Sequence, residues 1–346
     1  MAILKGVVVV TAAFLLIMMV GYWAAGRARP MLDAASRAAL LKAGLAHAFL
    51  DLPDGTVHYR LEGPESGPLI VLIHGFSTPS FVWDDYFKPL TSAGYRVLAY
   101  DNYGRGFSDR PNTKYDADLS DRLLLNLLDK LGLDAPAHIV GYSMGGATAA
   151  IFAARHPDRV RSLTLIAPAG LGVATSRNLE LMKRPVIGDW IVRMFGLKIF
   201  HAAAAEEAKA APNPADFLTD FDRQMDYRGY GDALLSTLRY YPLATSETAY
   251  ADAGRSPRPV LVIWGEADAT VPFSNAKRLI ALMPRARLYS YPQLGHNIGF
   301  SQAPMITGLM LEFLNAQGPV PTATDAAGAA PKLGVRELNG EARPGQ

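Results

Sequence analysis

The chain has 346 residues, with 34 Lys+Arg against 32 Asp+Glu, seven His and no Cys. A formal charge of +2 is too small to suggest a nucleic-acid surface, and zero cysteines exclude a disulfide framework, thiolate metal sites and a cysteine nucleophile. Half the residues are apolar and 19% are charged, so general disorder is excluded, and the length allows one large α/β domain or two smaller ones.

The first predicted element is a membrane segment within residues 1–30. Gly6 to Gly26 reads GVVVVTAAFLLIMMVGYWAAG without a charge. At ~1.5 Å rise per residue, about 21 residues just span a ~30 Å hydrocarbon core. Lys5 flanks the stretch on one side and Arg27 and Arg29 on the other, with Tyr22 and Trp23 where an interfacial aromatic pair belongs. An uncleaved single-span anchor is expected. A signal peptide cleaved after Ala24-Ala25-Gly26, which would leave an exported soluble protein, is the competing reading. The apolar stretch is longer than the roughly 7–15 residues of a usual signal core. Basic residues on the two sides differ too little to set the side on which the body lies.

Residues 31–55 read as an amphipathic connecting segment. Ala34, Ala38, Leu41, Leu45 and Phe49 recur at near-helical spacing over residues 31–50, which predicts a helix packed on the body. Beyond it, short Val/Ile/Leu-rich runs alternate with longer amphipathic ones. Strands are expected at Thr56–Leu61, Leu69–His74, Tyr95–Asp101, His138–Tyr142, Ser162–Ala167, Val260–Trp264 and Arg287–Tyr291. Helices are expected at Ser120–Leu131, Ala147–Arg155, Asn275–Leu282 and Pro304–Leu314. Continuously apolar strands alternating with helices imply an α/β fold, a mostly parallel sheet covered on both faces. The body comprises 56–170 and 249–317. Residues 171–248 break the alternation with helical patterns only and read as an inserted cap. The Pro/Ala/Gly/Thr-rich tail, 318–346, has no apolar periodicity and is expected to be disordered.

Chemistry concentrates at strand ends. His74-Gly75-Phe76-Ser77 closes one strand, and a glycine there lets the backbone approach a substrate. His74 is expected to anchor that loop through a backbone hydrogen bond and not to act as a base. Asp101-Asn102-Tyr103-Gly104-Arg105-Gly106-Phe107-Ser108 lacks the Lys-Ser/Thr pair and following helix of a P-loop. Asp101 and Arg105 are expected to support the His74 loop. Gly141-Tyr142-Ser143-Met144-Gly145-Gly146 joins a strand to a helix, the context of a G-x-S-x-G nucleophile elbow. Only small residues fit two positions either side of the serine, hence Gly141 and Gly145. The amides of Phe76 and Met144 are candidates for an oxyanion hole. A serine needs a base that is held by an acid. His296, after the last strand, is the candidate base. Asp268 in WGEAD is the candidate acid, with Glu266 as fallback.

These segments resemble the α/β-hydrolase superfamily from about Thr56 to Leu314: the HGFS loop, DNYGRGFSDRP, GYSMGGATAA, WGEADATVP and LGHN stand in the family's order. The resemblance implies an α/β-hydrolase fold with a helical cap and a Ser143–Asp268–His296 triad. Within the superfamily the chain looks like capped serine esterases and lipases. Its N-terminal apolar segment and Ile166-Ala167-Pro168-Ala169-Gly170 are similar to membrane-anchored monoacylglycerol lipases and related bacterial lipases. SMGGATA is equally similar to hydrolases that cleave C–C bonds in ring-fission products. A serine nucleophile excludes haloalkane dehalogenases and epoxide hydrolases, which need an aspartate there.

The cap is rich in large apolar side chains, among them Trp190, Phe195, Phe200, Tyr230 and Leu234, which favours a pocket for lipophilic substrates. Arg184, Arg193, Arg228 and Arg239 are the cap residues that could instead bind the carboxylate of a dienoate. The leading expectation is a serine ester hydrolase acting on monoacylglycerols or similar esters, with no metal or organic cofactor and with the membrane as a partner. A C–C hydrolase or a perhydrolase is the alternative, and a non-catalytic binding protein is a third reading that a complete triad disfavours. Oligomeric state is left open.

Overall fold

A computed structural model describes residues 2–316 and 336–338. The sheet follows from the apolar runs: β1 (Ala48–Leu52), β2 (Gly55–Glu62), β3 (Leu69–Ile73), β4 (Arg96–Tyr100), β5 (Ala137–Tyr142), β6 (Val160–Ile166), β7 (Val260–Gly265) and β8 (Ala286–Tyr291). A short β9 (Arg336–Leu338) pairs with β8, giving the order β1-β2-β4-β3-β5-β6-β7-β8-β9. All pairings from β4 across to β8 are parallel, while β1, β2 and β9 pair antiparallel at the edges. This is the α/β-hydrolase architecture. Every residue of β3, β5 and β7 is buried, as strands covered on both faces must be. Burying each Leu, Ile or Val side chain there contributes about 1.5–3 kcal/mol before entropy is counted.

Two expectations are corrected. The helix anticipated over residues 31–50 runs only from Ala34 to Lys42, with Asp33 capping its first turn through the Ser36 amide. Gly44 then takes a left-handed conformation, φ +68°, and Phe49 lies in β1 instead of on a helix. Leu52-Pro53-Asp54-Gly55 forms the turn of the β1–β2 hairpin, a Pro-Asp-Gly signal that outweighs the helical spacing upstream. In the tail, Arg336–Leu338 forms β9 where a disordered segment was expected; the remainder, from residue 317 to 335 and from 339 to 346, lies outside the described residues.

Between β6 and β7 the chain forms the helices Arg177–Lys183, Ile187–Ala208, Pro214–Arg223, Tyr230–Tyr240 and Glu247–Arg255. Several side chains of this segment reach the loops at the carboxyl ends of the strands. Tyr230 Oη donates to the Ser77 carbonyl at 3.1 Å, and Thr237 Oγ1 accepts from Arg105 at 2.8 Å. At the other end of the chain, Ala2–Ala25 is one apolar helix, long enough to cross a membrane. Its carboxyl end meets the helical insertion. The Arg193 guanidinium lies 4.3 Å from the Tyr22 ring, and Arg228 N–H donates to the Pro30 carbonyl at 2.9 Å.

Candidate active site

Three loops converge at the carboxyl ends of β5, β7 and β8, where ligands bind in open parallel sheets. After β5 the chain must reverse into the helix Met144–Arg155 at one residue. Ser143 occupies that corner with φ 54° and ψ −119°, a region that side chains rarely adopt. Its amide donates to the Ile166 carbonyl at 2.9 Å, and its carbonyl accepts from Gly146 and Ala169 at 2.9 Å each. The strained corner is thus over-determined by its neighbours. A Cβ on Gly141 would overlap the Gly145 carbonyl, and one on Gly145 would overlap the Ile73 carbonyl. The two glycines are steric requirements of the crossing.

His296 Nε2 lies 2.9 Å from Ser143 Oγ, and His296 Nδ1 lies 2.7 Å from Asp268 Oδ2. A carboxylate only accepts, so Nδ1 carries the proton and Nε2 turns a lone pair to the serine. The other Asp268 oxygen accepts from the amides of Thr270 and Val271 at 2.8 Å each. Trp264 Nε1 in turn donates to the Val271 carbonyl at 3.1 Å, which fixes the acid loop to β7. Glu266 points elsewhere, accepting from Ser290 Oγ at 2.7 Å. The structure therefore brings together Ser143, Asp268 and His296 and leaves the fallback acid outside.

The loop after β3 lies against this corner: a Cβ on Gly75 would stand 3.4 Å from that of Ser143. His74 is fully buried, its Nδ1 donating to the Gly75 carbonyl and its Nε2 accepting from the Asn102 amide, both at 2.9 Å. Burial pushes its pKa down to about 4, so the ring stays neutral. Both nitrogens are committed, and His74 anchors the loop.

Arg105 is buried among neutral acceptors, donating through Nε to the Phe76 carbonyl at 2.8 Å. Asp101 accepts from the Ser80 amide and hydroxyl and from His58 Nδ1 at 2.7–2.8 Å. Arg105 thereby holds the far side of Phe76 and Asp101 holds Ser80 further along the loop, while the peptide unit that carries the Phe76 N–H is held by His74 through the Gly75 carbonyl. Met144 opens its helix, so its N–H has no intrahelical partner and sits at the positive end of the dipole. Chemically, the arrangement offers an activated hydroxyl, a base held by an acid, and a helix start beside the reacting centre. That set suits acyl transfer.

Sequence reasoning missed two neighbours of the triad. Tyr142 stands in the elbow motif with no role of its own in the sequence, yet its hydroxyl donates to the His296 carbonyl at 3.1 Å. Glu207, on the helix Ile187–Ala208, accepts from Thr78 Oγ1 at 3.3 Å through its carboxylate and from Asn297 Nδ2, beside His296, at 3.4 Å through its carbonyl. A glutamate in an alanine-rich helix carries no local signal of either contact. The four cap arginines, by contrast, have partners other than the triad or face solvent. Arg239 pairs with Asp189, Arg193 with Asp232, Arg228 with the Arg29 carbonyl, and Arg184 is exposed.

Residues 70–305 match the model of the Alpha/beta hydrolase family. The chain is 29% identical over 293 residues to a 2-hydroxy-6-oxononadienedioate/2-hydroxy-6-oxononatrienedioate hydrolase of Cupriavidus pinatubonensis, covering 80% of this chain and 97% of that protein. It superposes on the meta-cleavage product hydrolase of Pseudomonas fluorescens with a TM-score of 0.62 and 26% identity, over 79% of this chain and 99% of the other. A membrane phospholipase A, described as a bacterial virulence factor, superposes with a TM-score of 0.64 and 24% identity, over 91% of this chain and 97% of its own.

Proposed function

The chain belongs to the alpha/beta hydrolase family, and from that membership we propose that it hydrolyses lipophilic carboxylic esters by acyl transfer through Ser143, His296 and Asp268. His296 takes the hydroxyl proton as Ser143 Oγ attacks the ester carbonyl. Asp268 holds the imidazole in its Nδ1–H tautomer and stabilises the imidazolium. The amides of Phe76 and Met144 receive the charge that develops on the carbonyl oxygen. Removal of one such donor costs about 2.7–4 kcal/mol of transition-state stabilisation. His296 then protonates the departing alcohol, and water activated by the same nitrogen releases the acid.

The observation that carries the choice of an ester is the electrostatic lining. Of the cap arginines that could hold an anion, Arg239 pairs with Asp189, Arg193 with Asp232 and Arg228 with the Arg29 carbonyl, and a cap residue tied to the loops on both sides of the triad is an acid, Glu207. Arg105, the cation that lines a cavity with Met144, is already committed to the Phe76 and Tyr103 carbonyls and the Thr237 hydroxyl. The apolar surround supports the same reading, because Phe76 and Phe81 pack against a buried cap cluster of Phe221, Met225, Tyr230 and Leu234. We further propose that Ala2–Ala25 lies in a bilayer as an anchor, which brings the cap beside a source of lipophilic esters.

A second reading has its own support. The relative from Cupriavidus pinatubonensis and the Pseudomonas fluorescens structure are both named for ring-fission products, which favours C–C bond hydrolysis by the same triad. One experiment separates the two. Wild-type enzyme and Ser143→Ala are assayed on 4-nitrophenyl esters of increasing acyl length and on a 2-hydroxy-6-oxodienoate. Turnover of medium or long acyl esters that vanishes in Ser143→Ala supports the ester reading. Consumption of the dienoate with silence on every ester establishes the other.

A further inference from the structure

Glu207 has no part in the acyl-transfer cycle, yet it bridges both core loops that flank the triad. Its Oε2 accepts from Thr78 Oγ1 at 3.3 Å, in the loop that carries Phe76. Its main-chain carbonyl accepts from Asn297 Nδ2 at 3.4 Å, one residue beyond His296. Burial raises its carboxyl, while His296 and the Thr78 hydroxyl act in the opposite sense. One long hydrogen bond leaves most of the acceptor capacity of a carboxylate unused. Nearby cations do not use it either: Lys209 pairs with Glu206, Arg193 with Asp232, and Arg105 with neutral oxygens. Because His296 hands its proton to the departing alcohol, a cap residue bonded to Asn297, the next residue along, and to the loop of Phe76 borders the alcohol half of the ester.

We propose that Glu207 is the specificity-determining residue for that half, accepting alcohols that carry an ammonium group or hydroxyl donors and rejecting those that carry an anion. The inference rests on the ester reading above and adds the class of alcohol to it. Neutralising one charge beside a desolvated site changes discrimination between oppositely charged ligands by at least about tenfold.

The test compares three butanoate esters by proton release: butanoylcholine, its uncharged isostere 3,3-dimethylbutyl butanoate, and 3-(butanoyloxy)propanoate. Wild-type full-length enzyme is expected to favour the choline ester over the isostere in kcat/KM, and the isostere over the anion, each by about tenfold. Glu207→Gln should bring both ratios close to one, with activity on the isostere within about threefold of wild type. Thr78→Val removes the hydrogen bond but keeps the charge, and should retain the ratios. Ratios unchanged in Glu207→Gln, or lost equally in Thr78→Val, overturn the assignment. Wild-type silence on all three esters, with turnover of a dienoate, overturns the ester reading and this inference with it.

Discussion

Tyr142 reaches across the triad from the nucleophile's own strand: its hydroxyl donates to the His296 carbonyl at 3.1 Å, and its ring lies 5.3 Å from the imidazole. The residue before the nucleophile therefore ties down the loop that carries the base. Tyr142→Phe keeps the ring and loses the tie. A fall in kcat of about tenfold is expected, since small displacements of a reacting group are costly. An unchanged kcat would assign the positioning to ring packing alone.

The acid assignment predicts a sharp contrast between two neighbouring carboxylates. Asp268→Asn should lower kcat by roughly 10³–10⁴-fold, because an amide in that place favours the wrong imidazole tautomer. Glu266→Gln, which touches Ser290 and not His296, should stay within about threefold of wild type. The two steady-state measurements decide between them: comparable losses would return Glu266 to the site.

Arg105 acts through the peptide it holds. Arg105→Met frees the Phe76 carbonyl, on the peptide after the one that bears the proposed donor, and by letting Phe76 shift should reduce kcat by about tenfold while KM moves far less. Arg105→Lys should recover part of the loss, since an ammonium still donates to a carbonyl. A change confined to KM would show that Arg105 shapes binding only.

Gly145→Ala should be among the most damaging small substitutions in the chain. Its Cβ would meet the main-chain carbonyls of Ile73 and His74, neither of which can rotate away. A destabilisation of about 3 kcal/mol or more is expected, read as a lower thermal midpoint or loss of soluble protein. A midpoint equal to wild type would disprove the tight crossing of β3 and the helix Met144–Arg155.

Two histidines make the fold sensitive to acid. Burial lowers His74 and His138 each to about 4 from an ordinary 6.5. The unfolded chain binds protons that the fold refuses, so stability is complete above about pH 6.5 and declines as pH falls toward 4. Each contributes at most about 3 kcal/mol of that decline. Thermal midpoints measured from pH 8 to 4 should fall, and the slope should be shallower in His138→Asn. Identical slopes in the two proteins would remove His138 from the account.

Much of the architecture was legible before any coordinates, because the signals were local. Continuous apolar runs marked β3, β5 and β7, and the small-residue crossing around Ser143 is a steric demand written into five adjacent positions. The order of Ser143, Asp268 and His296 along strand ends was readable for the same reason. The Ala48–Leu52 strand was not, since the Pro53-Asp54-Gly55 turn that sets its pairing competes with helical spacing just upstream.

What only the tertiary structure decided were relationships between distant segments. The sequence ranked Asp268 above Glu266, but the 2.7 Å contact of that carboxylate with a histidine 28 residues away, and the turn of Glu266 toward Ser290, belong to the packed loops. The four cap arginines are equivalent in sequence, and their partners became visible only when the helices packed. Glu207 and Tyr142 entered the site through contacts across 90 and 154 residues. Backbone propensity and apolar periodicity act over a few residues and survive in the sequence. Side-chain pairing across a folded core depends on where whole elements lie, and no short window of residues encodes it.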